Sequence, residues 1–312
     1  MRYLVTGGAG FIGSNTVDEL VRRGHSVVVL DNLSTGKAAN LATIISKIQF
    51  LQESVTNLEK LREACRAVDC VIHLAAQVSV PRSVQDPIET NLVNVDGTLN
   101  VLVAARDARV KRIVFASSCA VYGKTPILPI DETVPLAPIS PYGISKQVGE
   151  AYGQAFQQLY GLEFVALRYF NVFGPRQDPS SAYSGVLSLF STAILQASQP
   201  TVYGDGEQSR DFVYVANVVE AILLAAEVKN APGHAFNIGT GNRSTLNQTL
   251  ALLEKITGRS VKAKHATSRE GDIRHSQADI ALAKNLLGYS PRVGFEEGLK
   301  LTWDWFSARK SA

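Results

Sequence analysis

The sequence predicts an α/β protein: a doubly wound parallel sheet followed by a smaller mixed α/β domain. Three observations carry this. Short β-branched runs alternate with longer amphipathic stretches through the first half, the pattern of βαβ units on a parallel sheet. A glycine-rich turn, Thr6-Gly7-Gly8-Ala9-Gly10-Phe11-Ile12-Gly13, follows directly on the first run. After about residue 174 the alternation loosens, and Gly, Pro and Ser cluster over residues 173–181. The domain change is expected there, with residues 1–174 in the first domain and 175–312 in the second. About 211–238 is expected to return to the first domain's sheet.

Taken in order, strands are expected over Tyr3–Thr6, Ser26–Leu30, Ile48–Leu51, Cys70–Leu74, Arg112–Ser117 and Phe164–Arg168. The turn after the first strand opens a helix that ends near Gly24. Between the last two strands, Ile144, Val148, Tyr152, Ala155, Phe156 and Leu159 recur at three- and four-residue intervals, which predicts a helix with that stripe buried. Ser140-Pro141 starts it, Ser as the cap and Pro in the first turn. The last third mixes strands over Phe212–Val215 and Ala235–Ile238 with helices over Val218–Glu227, Leu246–Ile256 and Gly294–Phe306, the last with Leu299, Trp303 and Phe306 as its core stripe. His73, in an apolar strand, reads as a hydrogen-bonded structural residue, Cys119 as packing, and His265 and His275 as loop residues.

The 312 residues leave room for one large or two modest domains. With 46% hydrophobic and 19% charged residues, disorder, collagen-like repeats and coiled coil are excluded. Lys and Arg number 31 against 28 Asp and Glu, a net charge of +3 with no block of like charge, so neither nucleic acid nor a membrane surface is an expected partner. A small molecule is. Cys65, Cys70 and Cys119 cannot all pair and lack metal-ligand spacing, which predicts free thiols in a reducing cytoplasm and no bound metal. No apolar run approaches ~18 residues, so no helical span is expected. With its first strand predicted directly from the start of the sequence, no signal peptide is expected.

Gly8, Gly10 and Gly13 satisfy G-x-G-x-x-G in the strand-to-helix context of a dinucleotide fold. A backbone without side chains lets a pyrophosphate approach the helix N-terminus, where unpaired N–H groups and the helix dipole favour negative charge. Asp31 falls 18 residues after Gly13, at the tip of the second strand, where a carboxylate can accept both ribose hydroxyls. That carboxylate repels a 2′-phosphate, so NAD is favoured over NADP. The first domain is therefore expected to be an NAD-binding Rossmann domain.

Tyr142-Gly143-Ile144-Ser145-Lys146 puts a phenol and an ammonium four residues apart, on one face of the expected helix. A Lys cation beside a Tyr hydroxyl stabilises phenolate and suits the Tyr to general-base work. The pair follows a strand ending Phe115-Ala116-Ser117-Ser118, whose hydroxyls emerge at the carboxyl edge where open α/β sheets bind ligands. Ser118, 24 residues before Tyr142, is placed to hydrogen-bond the same substrate oxygen.

With these residues the chain resembles the extended short-chain dehydrogenase/reductases, and within them the UDP-sugar 4-epimerases. The resemblance spans nearly the whole sequence. It rests on Thr6–Gly13, Asp31–Gly36, His73–Gln77, Asn94–Thr98, Ser117–Gly123, Tyr142–Lys146, Arg168–Asn171, Arg210–Phe212 and Arg269–Asp272. It implies that NAD lies against Gly7, Gly10, Phe11, Ile12 and Gly13 of the turn, against Asp31, Asn32, Ser34 and Gly36 after the second strand, and against Leu74, Ala75, Ala76, Asn94, Tyr142, Lys146 and Tyr169. Ser118, Tyr142 and Lys146 match the catalytic triad. Asn171, Arg210 and Arg269 match positions that hold the nucleotide diphosphate, and Asp272 one that contacts the uridine ribose. One departure is Glu53-Ser54-Val55, where many relatives carry Gly-Asp-Ile with the Asp on the adenine.

Related dehydratases carry Asp-Glu directly after the catalytic hydroxyl residue, and decarboxylases a Glu; here those positions are Cys119 and Ala120. Epimerisation through transient oxidation at carbon 4 is the chemistry this implies, with Tyr142 taking the 4-hydroxyl proton and no net redox change. The stretches from Arg168 to Asp178 and from Gly271 to Asp279 most resemble UDP-N-acetylglucosamine 4-epimerases. Ser276 falls where glucose/galactose-restricted epimerases carry a bulky Tyr, so a 2-acetamido group is expected to fit, and both UDP-GlcNAc/UDP-GalNAc and UDP-Glc/UDP-Gal are expected substrates. The alternatives are a glucose/galactose-only epimerase, a glucuronate epimerase, disfavoured because Asn171 stands where those relatives usually carry Thr, and a non-catalytic NAD-binding regulator, disfavoured because Tyr142 and Lys146 are both present. The resemblance also implies a homodimer formed through the helix at Asn91–Ala105 and the Tyr142 helix.

Overall fold

Parallel strands buried on both faces need apolar side chains at successive positions, and the first strands of this chain supply them. A computed structural model describes residues 1–178, 185–268 and 273–310. Its elements are β1 (Arg2–Thr6), α1 (Phe11–Arg22), β2 (Ser26–Leu30), β3 (Gln49–Leu51), α2 (Leu58–Ala64), β4 (Cys70–His73), α3 (Val80–Gln85), α4 (Pro87–Asn91), α5 (Gly97–Asp107), β5 (Arg112–Ser118), α6 (Pro141–Tyr160) and β6 (Glu163–Tyr169). Then follow β7 (Asn171–Phe173), α7 (Val186–Leu195), β8 (Thr201–Tyr203), β9 (Ser209–Arg210), β10 (Phe212–Tyr214), α8 (Val215–Glu227), β11 (Ala235–Ile238), β12 (Ser244–Thr245), α9 (Leu246–Thr257), β13 (Lys264–Ala266) and α10 (Phe295–Lys310). Among the described residues, seven parallel strands form one sheet in the order β11-β6-β5-β4-β1-β2-β3. The order reverses between β1 and β4, so the carboxyl ends of these two strands flank a crevice.

Side-chain alternation divides the core. Tyr3, Val5, Val27, Val29, Ile72 and Val114 pack on the face covered by α1 and α8. Leu4, Val28, Leu30, Val71, Ile113 and Phe164 pack on the other, against Leu61 of α2, Val101 and Leu102 of α5 and Phe156 of α6. The first core runs on into the rest of the chain through Phe173, Phe190, Phe212, Tyr214, Leu250, Leu299 and Trp303. In the 211–238 stretch, β11 pairs with β6 at the edge of the large sheet, whereas β10 pairs with β7 in a two-stranded sheet of its own. His265, expected in a loop, lies in β13, which pairs with β8.

The predicted start of α6 holds. Ser140 Oγ accepts from the Gly143 N–H at 3.1 Å, Pro141 fills the first turn, and Gly161 ends the helix at φ +70°. The predicted buried stripe does not. Ile144, Tyr152 and Leu159 are 50%, 38% and 71% exposed, and the buried face is Gly143, Ser145, Lys146, Gly149, Glu150, Gly153 and Phe156. The reason is the closeness of the helix to the sheet: a Cβ at Gly153 would stand 2.1 Å from Phe164 Cζ, and one at Gly149 2.5 Å from Phe115 Cζ. The bulk lies in the strand aromatics, so the helix face above them is small or polar and its larger apolar residues point outward.

Candidate active site

The glycine turn is set by contacts a side chain would prevent. Gly7 takes φ +69°, and a Cβ on Gly13 would fall 2.1 Å from Gly7 O, so the entry to α1 closes on itself only without one. Gly10 caps α1 without a side-chain bond, leaving the first N–H groups of the helix turned toward the crevice. Asp31, buried at the end of β2, accepts from the Ala9 N–H at 2.9 Å and the Leu33 N–H at 2.8 Å. It ties the turn to the β2 loop and keeps lone pairs for further donors. In that loop Asn32 Oδ1 accepts from the Ser34 N–H, and Gly36 lies close enough that a Cβ would stand 2.9 Å from both Asp31 carboxylate oxygens. Phe11 and Ile12 are partly buried beside the turn.

The other wall follows β4. Leu74 and Ala75 are fastened to Thr6, by its carbonyl and its Oγ1 respectively, and Ala76 comes next. Asn94 lies in a single wide turn between α4 and α5, Leu92–Asp96; its amide binds both backbone groups of Gln77, at 2.7 and 2.9 Å, and Ser145 Oγ at 3.0 Å. Its side chain therefore braces the wall. His73 is fully buried, its Nδ1 on Thr6 Oγ1 at 2.7 Å and its Nε2 on Thr98 Oγ1 at 3.0 Å. The Thr98 hydroxyl donates to the Asn94 carbonyl, so Nε2 carries the imidazole proton and Nδ1 accepts from Thr6. Burial, with the Lys146 charge, pushes the His73 pKa down to about 3, so it stays neutral as a structural link.

Ser118, Tyr142, Lys146 and Tyr169 converge at the carboxyl edge. Ser118 and Tyr169 face each other across β5 and β6. Burial pushes the Tyr142 phenol up to about 12, partly opposed by a hydrogen bond with Ser118. The Lys146 ammonium stands 5.0 Å from the Phe115 ring centroid and 5.9 Å from that of Tyr142. Burial pulls its pKa down to about 8, and Glu150 opposes this. The Tyr169 hydroxyl is buried and finds no partner among the described residues, while Tyr142 lies near enough to raise its pKa further after burial. An orphaned phenol, a glycine cradle and a carboxylate with spare lone pairs fit a dinucleotide laid across the crevice.

On the far side, Asn171 is held to the Asp211 carbonyl through its N–H at 3.0 Å and its amide at 3.3 Å. Arg210 donates to the Ser209 and Arg274 carbonyls and acts on Cys119, the neighbour of Ser118, whose thiol burial pushes up to about 11. Asp211, fully buried, accepts from the N–H groups of Thr240, Gly241 and Ala278 and from the Thr240 hydroxyl, which fixes the strand that carries Arg210. Ser276 is 6% exposed, its N–H on the Ser209 carbonyl at 3.0 Å, so it is no surface serine. Arg269 and Asp272 lie outside the described residues. Sequence reasoning passed over Glu150, four residues after Lys146 on the same helix face, although that spacing was readable.

Fold and site together define an NAD-binding Rossmann enzyme. The profile of the NAD dependent epimerase/dehydratase family matches residues 3–239, and the chain belongs to that family. It is 42% identical to the UDP-glucose 4-epimerase of Thermotoga maritima, solved with UDP-glucose, at a TM-score of 0.94 over 100% of this chain and 99% of that one. It is 39% identical to the UDP-N-acetylglucosamine 4-epimerase of Methanobrevibacter ruminantium, solved with UDP-N-acetylmuramic acid, at 0.95 over 99% and 98%. The UDP-glucose 4-epimerase of Thermus thermophilus, solved with NAD, is 41% identical at 0.90 over 98% and 99%.

Proposed function

We propose that this enzyme inverts carbon 4 of UDP-hexoses, interconverting UDP-GlcNAc with UDP-GalNAc and UDP-Glc with UDP-Gal. The observation that carries the reading is the meeting of Ser118, Tyr142 and Lys146 at the sheet edge, with Asn171 and Arg210 across from them. NAD, when bound, serves as the hydride acceptor and donor. Gly7, Gly10 and Gly13 would leave room for its pyrophosphate, Asp31 would take the adenosine ribose hydroxyls, and Tyr169 and Lys146 would line its nicotinamide half.

Tyr142 removes the proton from the 4-hydroxyl and returns it after the sugar has turned. Ser118 hydrogen-bonds the same oxygen, and the Lys146 cation favours the phenolate that a base requires. Asn171 and Arg210, with Arg269, hold the diphosphate, so binding energy sits on the nucleotide and the sugar stays free to present its opposite face. Cys119 and Ala120 supply no carboxylate beside Ser118, which supports epimerisation over elimination or decarboxylation. Ser276 keeps the sugar pocket wide enough for an acetamido group.

The exposed apolar residues Ile88, Leu92, Ile144 and Leu159 support a homodimer through the α4–α5 and α6 surfaces, in a reducing cytoplasm that keeps the three thiols free. Purified protein assayed with UDP-GlcNAc and, separately, UDP-Glc, without added NAD and with the 4-epimers resolved by proton NMR, tests the reading. Both should convert. Conversion of UDP-Glc alone removes the Ser276 argument, and no conversion even with NAD supplied removes the epimerase.

A further inference from the structure

We propose that Glu150 is a positioning residue that keeps the proton on Lys146, one helical turn behind the Tyr142/Lys146 pair. This deepens the reading of Lys146 as the cation that assists Tyr142 and rests on it. Lys146 and Glu150 are four residues apart on the buried face of α6, 4% and 3% exposed. A buried ammonium loses its hydration, and aromatic faces replace only part of it.

The groups around the Lys146–Glu150 pair come from four elements. From α6 come the Tyr142 phenol and the Glu150 carboxylate; from β5 the uncharged Phe115 ring; from β4 His73, held neutral. β6 adds the Tyr169 phenol beside Tyr142 and Arg168 beside Glu150. Among the described residues Glu150 is the negative group that acts on Lys146, and it opposes the pull of burial, which lowers the ammonium pKa to about 8. Without that carboxylate, Lys146 would release its proton within the working range of a cytoplasmic enzyme, and Tyr142 would lose its cation.

The carboxylate is fixed in place. Arg168 donates to it through Nη2 at 2.6 Å and Nε at 3.0 Å, and the Ser117 hydroxyl donates to Oε1. Arg168 also donates through Nη1 to the Tyr122 hydroxyl at 2.8 Å, which donates to Asn237 Oδ1 at 2.7 Å. A structural ion pair alone needs no lysine one turn away. Here the lysine of the catalytic pair is that neighbour.

The test is the ionisation of Lys146 itself, read by carbon-13 NMR of protein carrying lysine labelled at Cε, the signal assigned by its loss in Lys146→Arg. Glu150→Gln keeps an acceptor for Ser117 and Arg168 but removes the charge, and should lower the Lys146 pKa by about one pH unit or more. Arg168→Gln leaves the carboxylate facing Lys146 without its counter-ion, and should raise it. Shifts of opposite sign separate a charge effect from general loosening, which would move both alike. If Glu150→Gln does not fold, the Arg168→Gln titration decides, and an unchanged Lys146 pKa in either folded variant overturns the proposal. The alkaline limb of kcat for UDP-sugar interconversion should follow the NMR values. An inactive wild-type protein whose Lys146 titration still shifts as stated would sink the epimerase reading and leave the Glu150 assignment standing.

Discussion

Gly153→Ala should destabilise this protein, although the same change in an ordinary helix interior stabilises by about 1 kcal/mol through propensity. Gly153 sits mid-helix in α6 with ordinary helical dihedrals, so propensity alone favours the alanine. Its added Cβ, however, would lie 2.1, 2.2 and 2.3 Å from three carbons of the Phe164 ring. That ring has nowhere to go: Phe164 is 2% exposed and stacks on Phe115 with centroids 5.8 Å apart. Relief therefore requires α6 to rise from the sheet by roughly 1 Å, against packing of crystal-like density. Overpacking costs about 1–3 kcal/mol, and three sub-contact distances on a confined ring put this site at the upper end, leaving a net loss of about 2 kcal/mol. Equilibrium urea denaturation measures it. Phe164→Leu in the Gly153→Ala background should recover part of the loss, a coupling visible in a double-mutant cycle. The same lift displaces Tyr142 and Lys146, so kcat should fall while the nucleotide half of the site, on other elements, keeps KM nearly constant. A Gly153→Ala protein as stable as wild type or more so would refute the claim that this helix is held at its distance from the sheet by glycine.

Tyr142→Phe should cut kcat by about 10²–10⁴ with the fold and NAD binding retained, read by proton NMR of the sugar epimers; near-normal turnover would remove Tyr142 as the base. Ser276→Tyr should abolish conversion of UDP-GlcNAc while sparing UDP-Glc, and equal loss on both would show that this residue does not set pocket volume. His73, whose folded pKa of about 3 lies below the ordinary value of 6.5, makes the unfolded chain the better proton binder between those values, so its contribution is complete above pH 6.5 and is lost as pH falls toward 3. The expected slope is about 1.4 kcal/mol per pH unit inside that window. Urea denaturation at neutral and mildly acid pH should show a smaller acid loss in His73→Gln than in wild type, and parallel losses would contradict the buried neutral imidazole.

What could be read in advance divides by physical scale. The strand run Val27–Leu30 was legible because a strand buried on both faces is apolar at successive positions, and the caps at Ser140 and the turn at Thr6–Gly13 because backbone geometry admits few residues there. The orientation of α6 was not legible from its own residues. Hydrophobic periodicity assumes that the wider side chains belong to the helix, whereas here Phe115 and Phe164 fill the space from below and the helix contributes Gly149 and Gly153. A small-residue stripe at the same period was present in the sequence, but only the partner strand's aromatics turn it into a buried face.

The misplaced face also explains why the charged residues of α6 are where they are. A helix pressed on a sheet through glycines has no apolar volume to give up when it buries Lys146 and Glu150, so their cost is offset by partners rather than by packing: rings and a carboxylate for the ammonium, Arg168 and Ser117 for the carboxylate. The outward turn of Ile144, Tyr152 and Leu159 is the complement of the same arrangement. In the proposed dimer, a second copy laid against the outer face of α6 would bury these apolar side chains behind Tyr142. If that dimer forms, assembly and catalysis would be coupled through one helix, and a substitution that puts charge at Ile144 should weaken both dimerisation, read by sedimentation, and turnover, though Ile144 touches neither sugar nor nucleotide in the proposed site.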